Sequence, residues 1–225
     1  MKNNQFNINK IVSIGGNVKV IKIICIMVIT TLSMYVLGFN DVVGDEVSLP
    51  RITNAYKEVM PAMRFIGIMY TNDDIGENGT FGHIWREWDK LGHWCKLSNL
   101  LTDEGSEYFK YIGSTICLMT NGGNEENPFQ YWLGRFFPPN TTVPEGFKYI
   151  DFKEKPLGVA WVYGKMPDVF FQANQALNTL IEVGVNPTAD SGGVWWWFER
   201  YVEGRWCPDT EGNYTLDLCF ILWDM

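Results

Sequence analysis

The chain has 225 residues, of which 46% are hydrophobic and 20% charged, enough apolar content for a packed core and too much for a disordered chain. Eighteen basic residues against 26 acidic ones give a formal net charge of −8, which argues against a phosphate-binding surface and against nucleic acid as partner. Five cysteines without a CxxC pair and two histidines do not make a zinc site of local spacing, and no metal or cofactor is expected.

Residues 1–22 are basic and polar, with Lys2, Lys10, Lys19 and Lys22 and no acid. An apolar run follows from Ile23 to Phe39, and Asp41, Asp45 and Glu46 come directly after it. Its seventeen residues, broken only by Thr30, Thr31 and Ser33, lie near the lower limit for a bilayer-crossing helix. Positive charge before the run predicts an N-terminus inside and a translocated remainder, hence a membrane-anchored domain on the extracytoplasmic side. A cleavable signal peptide is the main competitor, and an internal start at Met60 or Met63 would leave the domain cytoplasmic. Residues 40–59, with Gly44, Pro50 and mixed charge, read as a linker. Residues 60–225 read as the folded domain.

From there the order is strand, helix, strand, strand, twice over. The first strand is Arg64–Tyr70. A helix from about Phe81 to Leu101 carries Ile84, Trp85, Trp88, Leu91, Trp94 and Leu97 at steps of three and four, one continuous apolar stripe. Strands follow at about Tyr108–Met119 and at Phe129–Phe137. The second unit has a strand at about Gly158–Tyr163. A helix follows with Asp168 as its expected N-cap and Val169, Phe170, Ala173, Ala176, Leu177 and Leu180 on one face. Strands then span Val194–Trp206 and Tyr214–Trp223. The pattern predicts an α+β fold, an antiparallel sheet with two helices on one face around a central ligand cleft.

The strand Val194–Trp206 carries the chemistry. Side chains alternate faces with period two, so Trp197, Glu199 and Tyr201 share one face. Trp196 and Phe198 share the other. A carboxylate between large rings suits a planar cation, which gains ring-quadrupole attraction and one opposite charge. The competing reading is a half-buried strand in which Glu199 pairs with Arg205 or Arg135. Val159, Trp161 and Tyr163 also share one face of their strand. The expected pocket therefore comprises Glu199, Tyr201, Trp197, Trp161 and Tyr163, with Trp85 and Trp132 as walls from the first unit.

The succession of segments resembles the GyrI-like small-molecule-binding domains, the effector-binding family also fused to AraC-type and MerR-type regulators. The residues that carry the resemblance are Met60-Pro61-Ala62-Met63-Arg64-Phe65-Ile66-Gly67-Ile68, Ile84-Trp85-Arg86-Glu87-Trp88, Tyr131-Trp132-Leu133-Gly134, Pro156-Leu157-Gly158-Val159-Ala160-Trp161-Val162-Tyr163 and Trp197-Phe198-Glu199-Arg200-Tyr201. They cover about residues 60–225 in the family's order. The resemblance implies two strand–helix–strand–strand repeats around a ligand cleft, with Glu199 at the position of the family's acid that contacts cationic ligands. It brings no upstream DNA-binding domain.

Two functions follow. One is binding of a hydrophobic, cationic or aromatic small molecule, for sensing or sequestration. The other, implied by the resemblance because some relatives of that family are similar to such enzymes, is hydrolysis of strained electrophilic rings, with Glu199 as general base and Tyr163 or Tyr201 orienting the leaving oxygen. His83 and His93 are ten apart on the first helix, too distant to share a metal. Cys95, Cys117, Cys207 and Cys219 are open to pairing in an exported domain and to remaining free in a cytosolic one. Cys207 and Cys219 lie on strands joined by a turn and are placed to face each other.

Overall fold

A computed structural model describes residues 49–101, 111 and 113–223. The expected membrane segment Ile23–Phe39 lies outside these residues. Among the described residues no helix is long and apolar enough to cross a membrane.

Eight strands form one antiparallel sheet: β1 (Arg51–Met60), β2 (Met63–Tyr70), β3 (Thr115–Asn121), β4 (Gln130–Phe137), β5 (Lys148–Phe152), β6 (Lys155–Gly164), β7 (Trp195–Tyr201) and β8 (Tyr214–Ile221). Their spatial order is β1-β6-β8-β7-β3-β4-β2-β5. Helices α1 (Gly82–Lys90) and α2 (His93–Ser98) follow β2, and α3 (Ala173–Glu182) follows β6. The α+β class and the antiparallel sheet are as the sequence predicts.

The connectivity forces the sheet to curl. β1 and β2 are joined only by Pro61 and Ala62, yet they occupy the first and seventh places in the sheet. At about 4.8 Å per strand, a flat sheet would hold them about 29 Å apart. The chain from Met60 to Met63 reaches about 11 Å. The rings confirm the curl: Phe152 of β5 and Trp196 of β7, four strand positions apart, have centroids 5.8 Å from each other.

The curled sheet has an inner and an outer face. The inner face holds Met60, Phe65, Leu118, Trp132, Phe136, Val159, Phe198 and Cys219 in one buried cluster. Gly67 and Gly134 stand opposite each other there. A Cβ on either would come within 2.2 Å of a backbone oxygen of the facing strand, so only glycine lets β2 and β4 close beneath the Phe65 ring. The inner face also takes up charge. Arg200, 1% exposed, donates to Asp217 at 2.7 and 2.9 Å and to Glu58 at 2.8 Å. Arg205 donates to the same Asp217 oxygen at 2.6 Å. Buried charges persist when paired and hydrogen-bonded in this way. On the outer face, α1 and α2 cover Ile66, Cys117, Leu133 and Phe137, and α3 covers Ala160, Val162, Leu216 and Leu218.

Several expectations need correction. Residues 40–59 are not all linker, because β1 pairs with β6 along its length. As an edge strand it keeps polar side chains such as Asn54 and Lys57 exposed, which hides its pattern, and a chain starting at Met60 or Met63 would lack it. β5, also unforeseen, is the opposite edge. The expected helix 81–101 is two helices, since Gly92 takes φ +67 and ends α1 as a left-handed C-terminal glycine does. Leu91, expected in the stripe, is 55% exposed. The strand expected at Tyr108–Met119 begins at Thr115. Asp168 is not an N-cap: it opens a short 3-10 turn after Pro167, and α3 starts at Ala173 without a side-chain cap. Cys207 and Cys219 do not face each other. Cys207 is exposed, Cys219 is buried, and the four described cysteines are free.

Candidate ligand-binding site

The strand register fixes what surrounds Glu199. On the outer face one cross-strand row runs Ala55, Ala160, Leu218, Glu199, Cys117, Leu133, Ile68. Glu199 is the only charged or polar oxygen-bearing side chain in it. The neighbouring row runs Gly158, Phe220, Trp197, Met119, Tyr131, Tyr70. The carboxylate thus stands at the centre of an apolar sheet face, between the ground covered by α1 and α2 and that covered by α3.

The aromatic frame is tied together by hydrogen bonds and ring contacts. The Tyr201 hydroxyl donates to Glu199 Oε2. The Trp85 ring of α1 meets Tyr201 edge-on at 5.1 Å, and its Nε1 donates to the Tyr131 hydroxyl at 2.7 Å. Phe81 stacks on Tyr131 at 4.0 Å. From the β7–β8 connection, Trp206 meets Tyr201 from the other side at 4.8 Å.

Glu199 retains partial solvent contact although protein atoms surround it densely. Burial pushes its pKa up to about 7, against a lowering by the Tyr201 hydrogen bond. Burial likewise raises Tyr201, Tyr131 and the Cys117 thiol. None of the ion pairs among the described residues involves Glu199. The two arginines expected as partners are elsewhere: Arg205 binds Asp217, and Arg135 lies over the Trp94 ring at 6.0 Å.

Beside Tyr201 opens a depression of about 390 Å³, within the range of small-molecule sites. Trp85 and Trp94 form one wall and Trp206 the other, Tyr201, Thr115 and Arg135 lie along the sheet, and Asp89 and Glu203 add two acids. Glu199 does not itself line the depression; it is tied to it by the hydrogen bond from Tyr201, which does.

Of the residues expected in one pocket, the structure gathers Glu199, Tyr201, Trp197 and Trp85 on the outer face. Trp161, Tyr163 and Trp132 belong to the inner face, and the sheet itself separates them from Glu199. Trp161 lies beneath Arg205 at 4.7 Å and against Tyr56. Tyr163 donates to Asp209 at 2.5 Å and accepts from Asn213 at 2.9 Å. Trp132 donates to Gln130 at 2.9 Å and packs on Phe65. Tyr131, next to Trp132 in the chain, is on the outer face instead and accepts from Trp85. The sequence reading missed Tyr131, Cys117, Trp94 and Trp206. A register pairing Glu199 with Cys117 would have found the first two.

No family model matches the chain, and no curated protein sequence matches it. Among solved structures the chain is similar to SAV2435 bound to tetraphenylphosphonium, with a TM-score of 0.51 and 14% identity over 75% of this chain and 93% of that one. It also superposes on a Staphylococcus aureus MU50 protein described as a bacterial transcription regulator, with a TM-score of 0.47 and 14% identity over 76% and 99% of the two chains. A hydrolase encoded by lin2189 of Listeria innocua gives a TM-score of 0.42 and 12% identity over 74% and 90%. The likeness to SAV2435 shows the fold, and it is consistent with the GyrI-like resemblance of the sequence.

Proposed function

We propose that this is a GyrI-like binding domain that takes a hydrophobic aromatic cation against the outer face of its sheet, with Glu199 as counter-charge and Trp85, Tyr201 and Trp206 as walls. The observation that carries the reading is Glu199 itself: a desolvated carboxylate with no cationic partner among the described residues, set in an apolar row. An unpaired buried charge costs folding energy, and a cation with apolar rings would offset that cost. SAV2435, which shares the fold, was solved with tetraphenylphosphonium, a ligand of that chemical class. The strand order supports a duplicated architecture. In β2–β3–β4 and in β6–β7–β8 alike, the first strand lies outermost, the third in the middle and the second innermost, so that Glu199 and Cys117 meet at the seam. In the same proposal residues 23–39 anchor the domain to a membrane; a chain that alkaline carbonate releases from membranes would contradict that part.

The test is a titration of the intrinsic Trp fluorescence with tetraphenylphosphonium and with neutral triphenylphosphine oxide. The cation binds about tenfold more tightly, a partly desolvated cation contact, and Glu199→Gln erases most of that difference. Equal weakening of both ligands overturns the reading. A carboxylate titrating near pH 7 also favours the hydrolase reading, in which Glu199 acts as general base with Tyr201; Tyr163, on the inner face, has no part in it. Turnover of an electrophilic cyclopropane, absent in Glu199→Gln, would favour the enzyme.

A further inference from the structure

The depression beside Tyr201 contains a cation that a purely cationic ligand would have to tolerate. Arg135 projects from β4 on the outer face and lines it. Its Nε is buried without a hydrogen-bond partner, and no ion pair among the described residues includes its side chain. The Trp94 ring takes one side of the guanidinium, and burial lowers its pKa while Glu203 works in the opposite direction. A buried N–H normally has an acceptor. The flat fork of the guanidinium matches a carboxylate in two-point geometry.

The sheet gives the spacing. Glu199 and Arg135 share the outer face, two strands and two residues apart. That places their Cα atoms about 12 Å from each other, a span that an aromatic skeleton of two or three rings covers. A chain of contacts links the two: Tyr201 donates to Glu199, Trp85 meets Tyr201 at 5.1 Å and Trp94 at 5.8 Å, and Arg135 lies over Trp94.

Resting on the cation-binding reading above, we propose that the ligand carries both signs, a planar aromatic cation that also bears a carboxylate, with its positive end toward Glu199 and its carboxylate on Arg135. Asp89 and Glu203 also line the depression and disfavour an anion that lacks the cationic end.

Rhodamine 110 and rhodamine 123 test this, because they differ only in that the second is the methyl ester of the first. Fluorescence anisotropy with the full chain at pH 8 gives both affinities. The wild type binds the free acid at least as tightly as the ester. In Arg135→Met the ratio of acid to ester affinity falls about tenfold, the scale of a lost charge-assisted hydrogen bond, and Arg135→Lys recovers part of it. An unchanged ratio in Arg135→Met overturns the proposal, and so does a wild type that prefers the ester tenfold, which needs no variant to fold. Loss of both dyes in Glu199→Gln with the Arg135 ratio unchanged leaves the cation reading standing and removes this one. Failure of both dyes to bind the wild type removes both.

Discussion

Replacing Glu199 by Gln separates a residue kept for folding from one kept for a ligand. In the folded chain its pKa is pushed up to about 7, against 4.5 for a solvated glutamate. That gap is worth about 3 kcal/mol, at about 1.4 kcal/mol per pH unit. Between pH 4.5 and 7 the folded chain holds a proton that the unfolded chain has released. Stability therefore falls as pH rises through that window and is level above it. Glutamine keeps the shape and still accepts from the Tyr201 hydroxyl, but it has no charge to bury. The stability of Glu199→Gln relative to the wild type should thus grow by about 3 kcal/mol from pH 4 to pH 8. Binding should move the other way. A cation meets the ionised form, so wild-type affinity rises with pH up to about 7 and levels off, while the variant binds weakly throughout. Urea denaturation at both pH values, with a fluorescence titration on the same samples, measures both. A variant less stable than the wild type at pH 8, or a stability difference independent of pH, refutes the reasoning, because the carboxylate would then be contributing to the fold.

Tyr201→Phe removes the hydrogen bond that holds the Glu199 pKa down, so the midpoint of the pH dependence of cation binding moves to higher pH; a midpoint that stays or falls contradicts the assignment. Arg200→Met leaves Asp217 and Glu58 buried with their shared cation gone and should cost about 3 kcal/mol in urea denaturation, where a loss below about 1 kcal/mol would mean the network contributes little. Gly67→Ala sets a methyl group 2.2 Å from the Leu133 carbonyl oxygen, forcing β2 and β4 apart at a cost of about 2–3 kcal/mol, and a melting temperature within about 2 °C of wild type would show that the strands accommodate it.

The sequence determined the faces within each strand and left undetermined which faces coincide. Period-two alternation puts Glu199 with Trp197 and Tyr201, and it puts Trp161 with Tyr163. Whether those two sets meet depends on the strand between them. The register pairs Glu199 with Leu218 and Leu218 with Ala160, so Trp161 goes to the other side, and a slip of one residue would have reversed the outcome. The same uncertainty decided between Tyr131 and Trp132. The core strands were legible because apolar residues dominate them, as in Leu218–Ile221 at the end of β8. β1 was not, because an edge strand hydrogen-bonds on one side only and tolerates polar residues. The stop at Gly92 was present in the sequence, but the apolar stripe continues through Trp94 and Leu97 on the second helix and hid the break.

Glu199 and Arg200 are adjacent in the chain, and an adjacent acid and base invite the assumption that they neutralise each other. The pleat sends them to opposite faces. On the inner side Arg200 and Arg205 meet Asp217 and Glu58, and none of these pairs among the described residues involves Glu199. The nearest arginines in sequence are thereby committed where the sheet keeps them from the outer carboxylate. Cys117 and Tyr131 beside it are themselves acids that burial holds neutral, so they offer no positive charge either. Among the described residues no cation pairs with Glu199, so under the proposed function it is neutralised by a proton below about pH 7 or by the cation of a ligand. In that proposal both act on the same carboxylate, so a bound cation displaces the proton, and acidity and ligand are read through one group.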